Sequence, residues 1–96
     1  MLFVVLCTDH PGKLDLRMST RPEHVAYLMS LGATLKLAGP FLDAEGNPAG
    51  SMLVVEAKDR AGAEAIAAGD PYAGVGLFAR TEIRAWRWTI NNPDAA

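Results

Sequence analysis

Ninety-six residues with a formal charge of -2 and a pI of about 5.5 make one domain, spanning residues 1–96, without the basic footprint that nucleic acid demands. Half the residues are apolar, which is high for so short a chain, yet the longest apolar runs fall far below a membrane span. One cysteine, Cys7, cannot close an internal disulfide, and Met1-Leu2-Phe3-Val4-Val5 has neither the basic start nor the following cleavage site of a signal peptide, so the chain is expected to be cytoplasmic.

Leu2 to Cys7 is a continuous apolar run closed by Thr8-Asp9-His10-Pro11-Gly12. It predicts a strand buried on both faces. A polar loop is expected from Lys13 to Met18, then a helix from Thr20 to about Leu31. Thr20 and Glu23 have capping-box spacing, and Pro22 costs little in a first turn whose amides lack intrahelical partners. Val25, Leu28, Met29 and Gly32 follow at helical spacing and can face a core, with Gly32 a natural stop. Arg21, His24, Leu28 and Leu31 form one ridge. Arg21 and His24 would then lie together near the positive helix end, where dipole, free amides and Arg21 favour an anionic ligand. A solvated arginine and an idle helix-start histidine are the bland alternative.

Ala33 to Leu42 predicts a second strand, with Leu35, Leu37 and Phe41 on one face and Thr34 and Lys36 on the other. Gly39-Pro40 interrupts it, so this strand is an edge or is bent there, because proline cannot donate to a ladder. The turn-rich residues 43–50 make strands two and three a hairpin. Ser51 to Ala57 is the third strand. Asp59 caps a second helix that runs to about Ala68, rich in alanine and with Ile66 its only large apolar residue. Gly69-Asp70-Pro71-Tyr72 ends it, since a residue before proline avoids helical angles. Ala73 to Gly76 connects to a long last strand, Leu77 to about Trp88.

The order β-α-β-β-α-β predicts an α+β fold, the ferredoxin-like split βαβ arrangement, with a four-stranded antiparallel sheet and both helices on one face. The other face is then bare, although strands one and three are apolar on both sides. Sheet-to-sheet packing of two copies into an α+β barrel would cover it, so a homodimer is expected, with a site between the sheet face and the partner. In the last strand Arg80, Glu82 and Arg84 share a face, and Trp86 and Trp88 continue the same parity. That strand outruns the sheet, reaches the partner or carries a bulge. The two tryptophans read as core or dimer anchors before ligand platforms.

Few residues can do chemistry. A general base at neutral pH is most often histidine, and only His24 and His10 exist. A carboxylate that orients the ring makes it more useful. Asp70, in a rigid Asp-Pro turn, and Asp9, at the exit of strand one, are the candidates; either can equally be a turn residue bonding its own backbone. Cys7, Asp9, His10 and His24 match no zinc spacing, so no metal is expected. Cys7 continues an apolar strand and reads as an inert thiol. No glycine-rich phosphate loop is present, and no cofactor is expected. Gly39-Pro40 and Gly50-Ser51 flank the hairpin, where backbone can approach a ligand and Ser51 could donate a hydrogen bond.

The ordered set Asp9, Pro11, Leu14, Arg17, Arg21-Pro22-Glu23-His24, Tyr27-Leu28, Ala38-Gly39-Pro40, Gly50-Ser51 and Asp70-Pro71-Tyr72 resembles the YciI-like (YCII-related) family over nearly the whole chain. The resemblance implies a ferredoxin-like fold that dimerises into an α+β barrel, and a His–Asp pair at a cleft, for which His24 and Asp70 match. Arg17, Arg21, Gly39, Pro40, Ser51 and Tyr72 are the candidate contacts for a small-molecule ligand. The family is similar to a dehydrochlorinase of chlorinated hydroxyquinols and to muconolactone isomerase. This chain departs from the pattern at His10 and in its short 43–50 connector.

Two functions follow. One is a cofactor-independent enzyme in which His24 takes a proton from a small anionic or phenolic compound, for elimination or isomerisation, Asp70 orients His24, and Arg21 or Arg17 attracts the substrate's charge. The other is a dimeric module that binds a small ligand without chemistry. A single-stranded RNA binder is disfavoured, because strand three lacks stacking aromatics and the charge is wrong.

Overall fold

In the computed structural model, which describes residues 1–94, the chain runs β1 (Leu2–Asp9), α1 (Leu14–Ser30), a 3-10 turn (Gly32–Thr34), β2 (Leu35–Leu42), β3 (Pro48–Glu56), α2 (Arg60–Gly69), α3 (Pro71–Gly74) and β4 (Phe78–Trp86). The strands form one sheet in the order β2-β3-β1-β4 with every neighbouring pair antiparallel. The architecture is the expected α+β, ferredoxin-like one.

β1 alternates. Phe3, Val5 and Cys7 are buried, opposite Val55, Leu53 and Ser51 of β3. Residues directly opposite in an antiparallel pair share a face, so these line the helix side. Ala63 and Ala67 of α2 and Leu28 of α1 complete that core. Leu2, Val4 and Leu6 point the other way and are only half-buried, beside Val54 and Met52. The expected burial on both faces is therefore corrected: helices cover one face only within a chain.

β2 carries a bulge that the sequence does not announce. Leu35 faces Val55 and Leu37 faces Val54, leaving Lys36 between them without a partner. An extra residue flips the parity of everything after it. Leu35 therefore joins the core, whereas Leu37 and Phe41 turn to the open face, contrary to the expected single face for all three. Ala38 and Pro40 are thereby brought to the helix side. Edge position spares Pro40 from leaving a neighbouring strand without a donor.

α1 starts at Leu14, six residues before the expected Thr20 cap, and Arg17 lies in it and not in a loop. Lys13 caps it without a side-chain bond, Thr20 is buried inside it, and Pro22 sits within it. An internal proline costs about 3 kcal/mol. The stripe Arg17, Thr20, His24 and Leu28, buried along one side, offsets this. Met29, expected to face the core, is 72% exposed. Gly32 follows the helix end at φ 56°, a left-handed angle that glycine adopts without strain.

α2 is capped as expected, with Asp59 Oδ1 accepting from the Gly62 N–H at 2.9 Å. The Tyr27 hydroxyl donates to the Ile66 carbonyl at 2.7 Å and ties α1 to α2. The expected connector after Asp70 contains the short helix α3. β4 stops at Trp86, its last partner being Leu2; Trp88 lies beyond the strand with its ring stacked on Trp86 at 5.8 Å.

Candidate functional site

α1, β2, β3 and α3 enclose a cleft of about 250 Å³ on the helix side of the sheet. It is not between the open sheet face and a partner, as expected, because both residues of the His–Asp pair belong to the helix layer. α3 explains the geometry on one side. Asp70 is its N-cap, and Asp70 Oδ1 accepts from the Tyr72 N–H at 2.9 Å, with Pro71 in the first turn. This cap fixes the carboxylate of Asp70 and the ring of Tyr72 together.

His24 comes from α1, roughly three turns from its start. The helix terminus and its free amides, expected to act on a ligand beside His24, are therefore elsewhere. His24 Nδ1 lies 2.8 Å from Asp70 Oδ1 and 3.0 Å from Oδ2. The Tyr72 ring stacks on the imidazole with centroids 3.9 Å apart and planes 17° apart. A carboxylate only accepts, so the neutral ring carries its proton on Nδ1 and leaves a lone pair on Nε2. Every buried side-chain nitrogen and oxygen among the described residues has a partner. Nε2 has none and so is accessible to solvent, and His24 lines the cleft.

Asp9, the other candidate partner for His24, is engaged elsewhere. Arg17 Nε donates to Asp9 Oδ2 at 2.7 Å, and Nη2 donates to Asp9 Oδ1 at 3.2 Å and to Ser51 Oγ at 2.7 Å. Ser51 Oγ accepts from Arg17 and still carries an O–H able to donate. The Arg17 guanidinium also sits 4.5 Å from the centre of the Tyr72 ring. Tyr72 thus carries His24 on one contact and Arg17 on another. Burial pushes the Tyr72 phenol up, with Arg17 and Arg21 pulling it back.

Arg21, Ala38, Gly39 and Pro40 also line the cleft. A side chain added at Gly39 would meet open space. Met18, Val25, Leu28, Leu53 and Pro48 complete the walls; the sequence marks Val25 and Leu28 only as core-facing and gives no site signal for the other three. For Val25 and Leu28 the signal is helical spacing about Arg21 and His24, but it also marks an ordinary core stripe.

His10 is exposed and lies outside this cleft. Cys7 is buried on the core face, where the Thr81 hydroxyl donates to its Sγ at 3.8 Å. Burial, against the lowering effect of that bond, pushes the Cys7 thiol up to about 11. Its thiolate is therefore scarce at neutral pH. Among the described residues, no three His, Cys, Asp or Glu side chains gather as a metal site.

Comparison with known proteins places this geometry among relatives. Protein YciI of Escherichia coli O6:H1 is 30% identical over 95 residues, covering 91% of this chain and 97% of that protein. A 5-chloro-2-hydroxyhydroquinone dehydrochlorinase from Burkholderia phenoliruptrix, solved with 2,5-dihydroxybenzoquinone, is 33% identical and superposes with a TM-score of 0.87, covering 96% of this chain and 99% of that one. A cofactor-independent oxygenase from Streptomyces nogalater, 16% identical with a TM-score of 0.56 over 95% of this chain and 96% of that one, shares the fold alone. Residues 1–87 match the YCII-related domain, and the chain belongs to that family.

Proposed function

We propose that this protein is an enzyme in which His24 acts as a general base, oriented by Asp70, on a small ring compound bearing an acidic or phenolic group. Elimination and isomerisation are the reactions that such a base serves. The observation that carries the reading is the His24–Asp70 contact at the cleft, with Nε2 left without a partner. In an elimination, Nε2 takes a proton from the substrate, the electron pair left behind becomes the new double bond, and the leaving group departs with its own electrons as an anion. In an isomerisation, the imidazolium returns the proton at another carbon. Asp70 steadies the charged ring between the two steps. Side chains supply all of this chemistry, so the reading includes no cofactor.

The likeness to the Burkholderia dehydrochlorinase over nearly the whole chain supports the substrate class. The half-buried apolar residues Leu2, Val4, Leu6 and Met52 on the open sheet face support a homodimer joined through that face. We place this dimer in the cytoplasm.

The test is release of chloride from chlorinated hydroxyhydroquinones, followed in the parent, His24→Ala and Asp70→Asn. A positioned base is worth about 10²–10⁴-fold in rate. His24→Ala should lose kcat by that factor, and Asp70→Asn should lose kcat with KM nearly kept. An unchanged kcat in His24→Ala, or binding of 2,5-dihydroxybenzoquinone with no turnover of chlorinated phenols or lactones, contradicts the reading and leaves a non-catalytic binding module.

A further inference from the structure

Two arginines project from the cleft side of α1, four residues apart, and they differ in what they have left to give. Arg17 is 4% exposed. Its Nε and Nη2 are taken by Asp9 and Ser51, so three of the five guanidinium N–H donors are used. The Asp9 carboxylate offsets its charge at 2.7 Å. Arg21 lies one turn on, exposed, and has no carboxylate or hydrogen-bond partner among the described residues. His24 follows it by three residues, a spacing that sets Cβ atoms about 5–6 Å apart on one ridge. Burial raises the Tyr72 phenol and Arg17 and Arg21 pull it partly back, so the charge of Arg21 reaches the cleft that both line. Around these two groups Val25, Leu28, Leu53 and Pro40 form apolar walls. A closed apolar cavity of about 150 Å³ holds benzene, so a cleft of about 250 Å³ has room for one ring with its substituents.

We propose that Arg21, and not Arg17, pairs with the negative group of the substrate, selecting a one-ring compound whose anionic oxygen lies within a ring's width of the proton that His24 removes. This rests on His24 acting as the base. Arg17 is a positioning residue that holds Tyr72 and, through it, the imidazole. The division of labour follows from the partners: a guanidinium already bonded to a buried carboxylate offers a second anion little, whereas an unpaired one at the mouth offers a full charge and five donors.

The experiment is equilibrium titration of the full chain at neutral pH with 2,5-dihydroxybenzoquinone, which is ionised there, and with 2,5-dimethoxybenzoquinone, a neutral ring of the same core. Parent, Arg21→Gln and Arg21→Lys are compared. A hydrogen bond to a charged group is worth about 10–100-fold in affinity. Arg21→Gln should weaken the ionised probe by that factor, change the neutral probe by less than about twofold, and flatten the salt dependence of binding. Arg21→Lys should recover part of the loss. Thermal midpoints should be unchanged, because Arg21 has no partner to lose. The proposal is overturned if the parent does not prefer the ionised probe, if Arg21→Gln keeps its affinity, or if both probes weaken equally. Full affinity in Arg21→Gln alongside lost turnover in His24→Ala would remove Arg21 and keep the base; full turnover in His24→Ala overturns both.

Discussion

The Arg17–Asp9 pair is the residue-scale feature with the largest stability consequence. Its side chains are 5% and 6% exposed, and it joins the end of β1 to α1 and, through Ser51, to β3. Truncating one partner of a buried pair strands the other charge in a poorly solvated site, at a cost of about 3–5 kcal/mol. Arg17→Ala should therefore lower the urea-unfolding free energy by that amount with an unchanged m-value. A small domain has only about 5–15 kcal/mol in total, so the melting temperature should fall sharply. Arg17→Lys keeps the charge but not the forked geometry, and should lose less. A loss below about 1 kcal/mol in Arg17→Ala would show that water reaches Asp9 freely and that the pair does not organise the site. The same arrangement accounts for the rigid setting of Tyr72, which is 1% exposed and has Arg17 and His24 against its ring.

At the scale of elements, the sequence carried the order β-α-β-β-α-β, the Asp59 cap and the edge placement of the strand holding Pro40. Those signals are local: a periodicity, a cap, a missing donor. The start of α1 was not legible, because Thr20, Pro22 and Glu23 imitate a helix N-terminus well. The helix nevertheless begins at Leu14, and Arg17 within its first turns is held by a contact distant in sequence, the bond to Ser51. The bulge at Lys36 was hidden for a related reason, since Leu35, Leu37 and Phe41 alternate regularly and only pairing with β3 shows the shift. In the site, His24 and Asp70 were legible as residue types able to do proton transfer, together with the family resemblance. Whether the ring faced Asp70 or Asp9 depended on the packing of α1 against α3. Ridge geometry would have placed Arg17 beside Arg21 and His24 had the helix been extended by two turns. Read as a loop residue, Arg17 looked unpartnered, whereas it lines the cleft while paired with Asp9.

For the whole molecule, one face of the sheet is closed by helices and the other is not. On the open face Leu2, Val4, Leu6, Leu37, Met52 and Val54 form an apolar centre, and β4 adds Arg80, Glu82 and Arg84 at one edge. A stable interface buries about 1,200–2,000 Å² in total, and in the proposed homodimer that area comes from this face. The parent should sediment at about twice the 10.2 kDa of one chain, and Met52→Glu should sediment as a monomer while retaining its circular dichroism. A parent that is monomeric at micromolar concentration would remove the sheet-to-sheet dimer. The catalytic proposal itself depends on one imidazole and on which nitrogen is free. The most direct measurement is the ¹⁵N chemical shifts of His24, taken where the ring is neutral, in the parent and in Asp70→Asn. A protonated Nδ1 and a bare Nε2 are expected in the parent, with that preference weakened when the carboxylate becomes an amide. A parent ring protonated on Nε2 would have no lone pair facing the cleft and would contradict the assignment of His24 as the base.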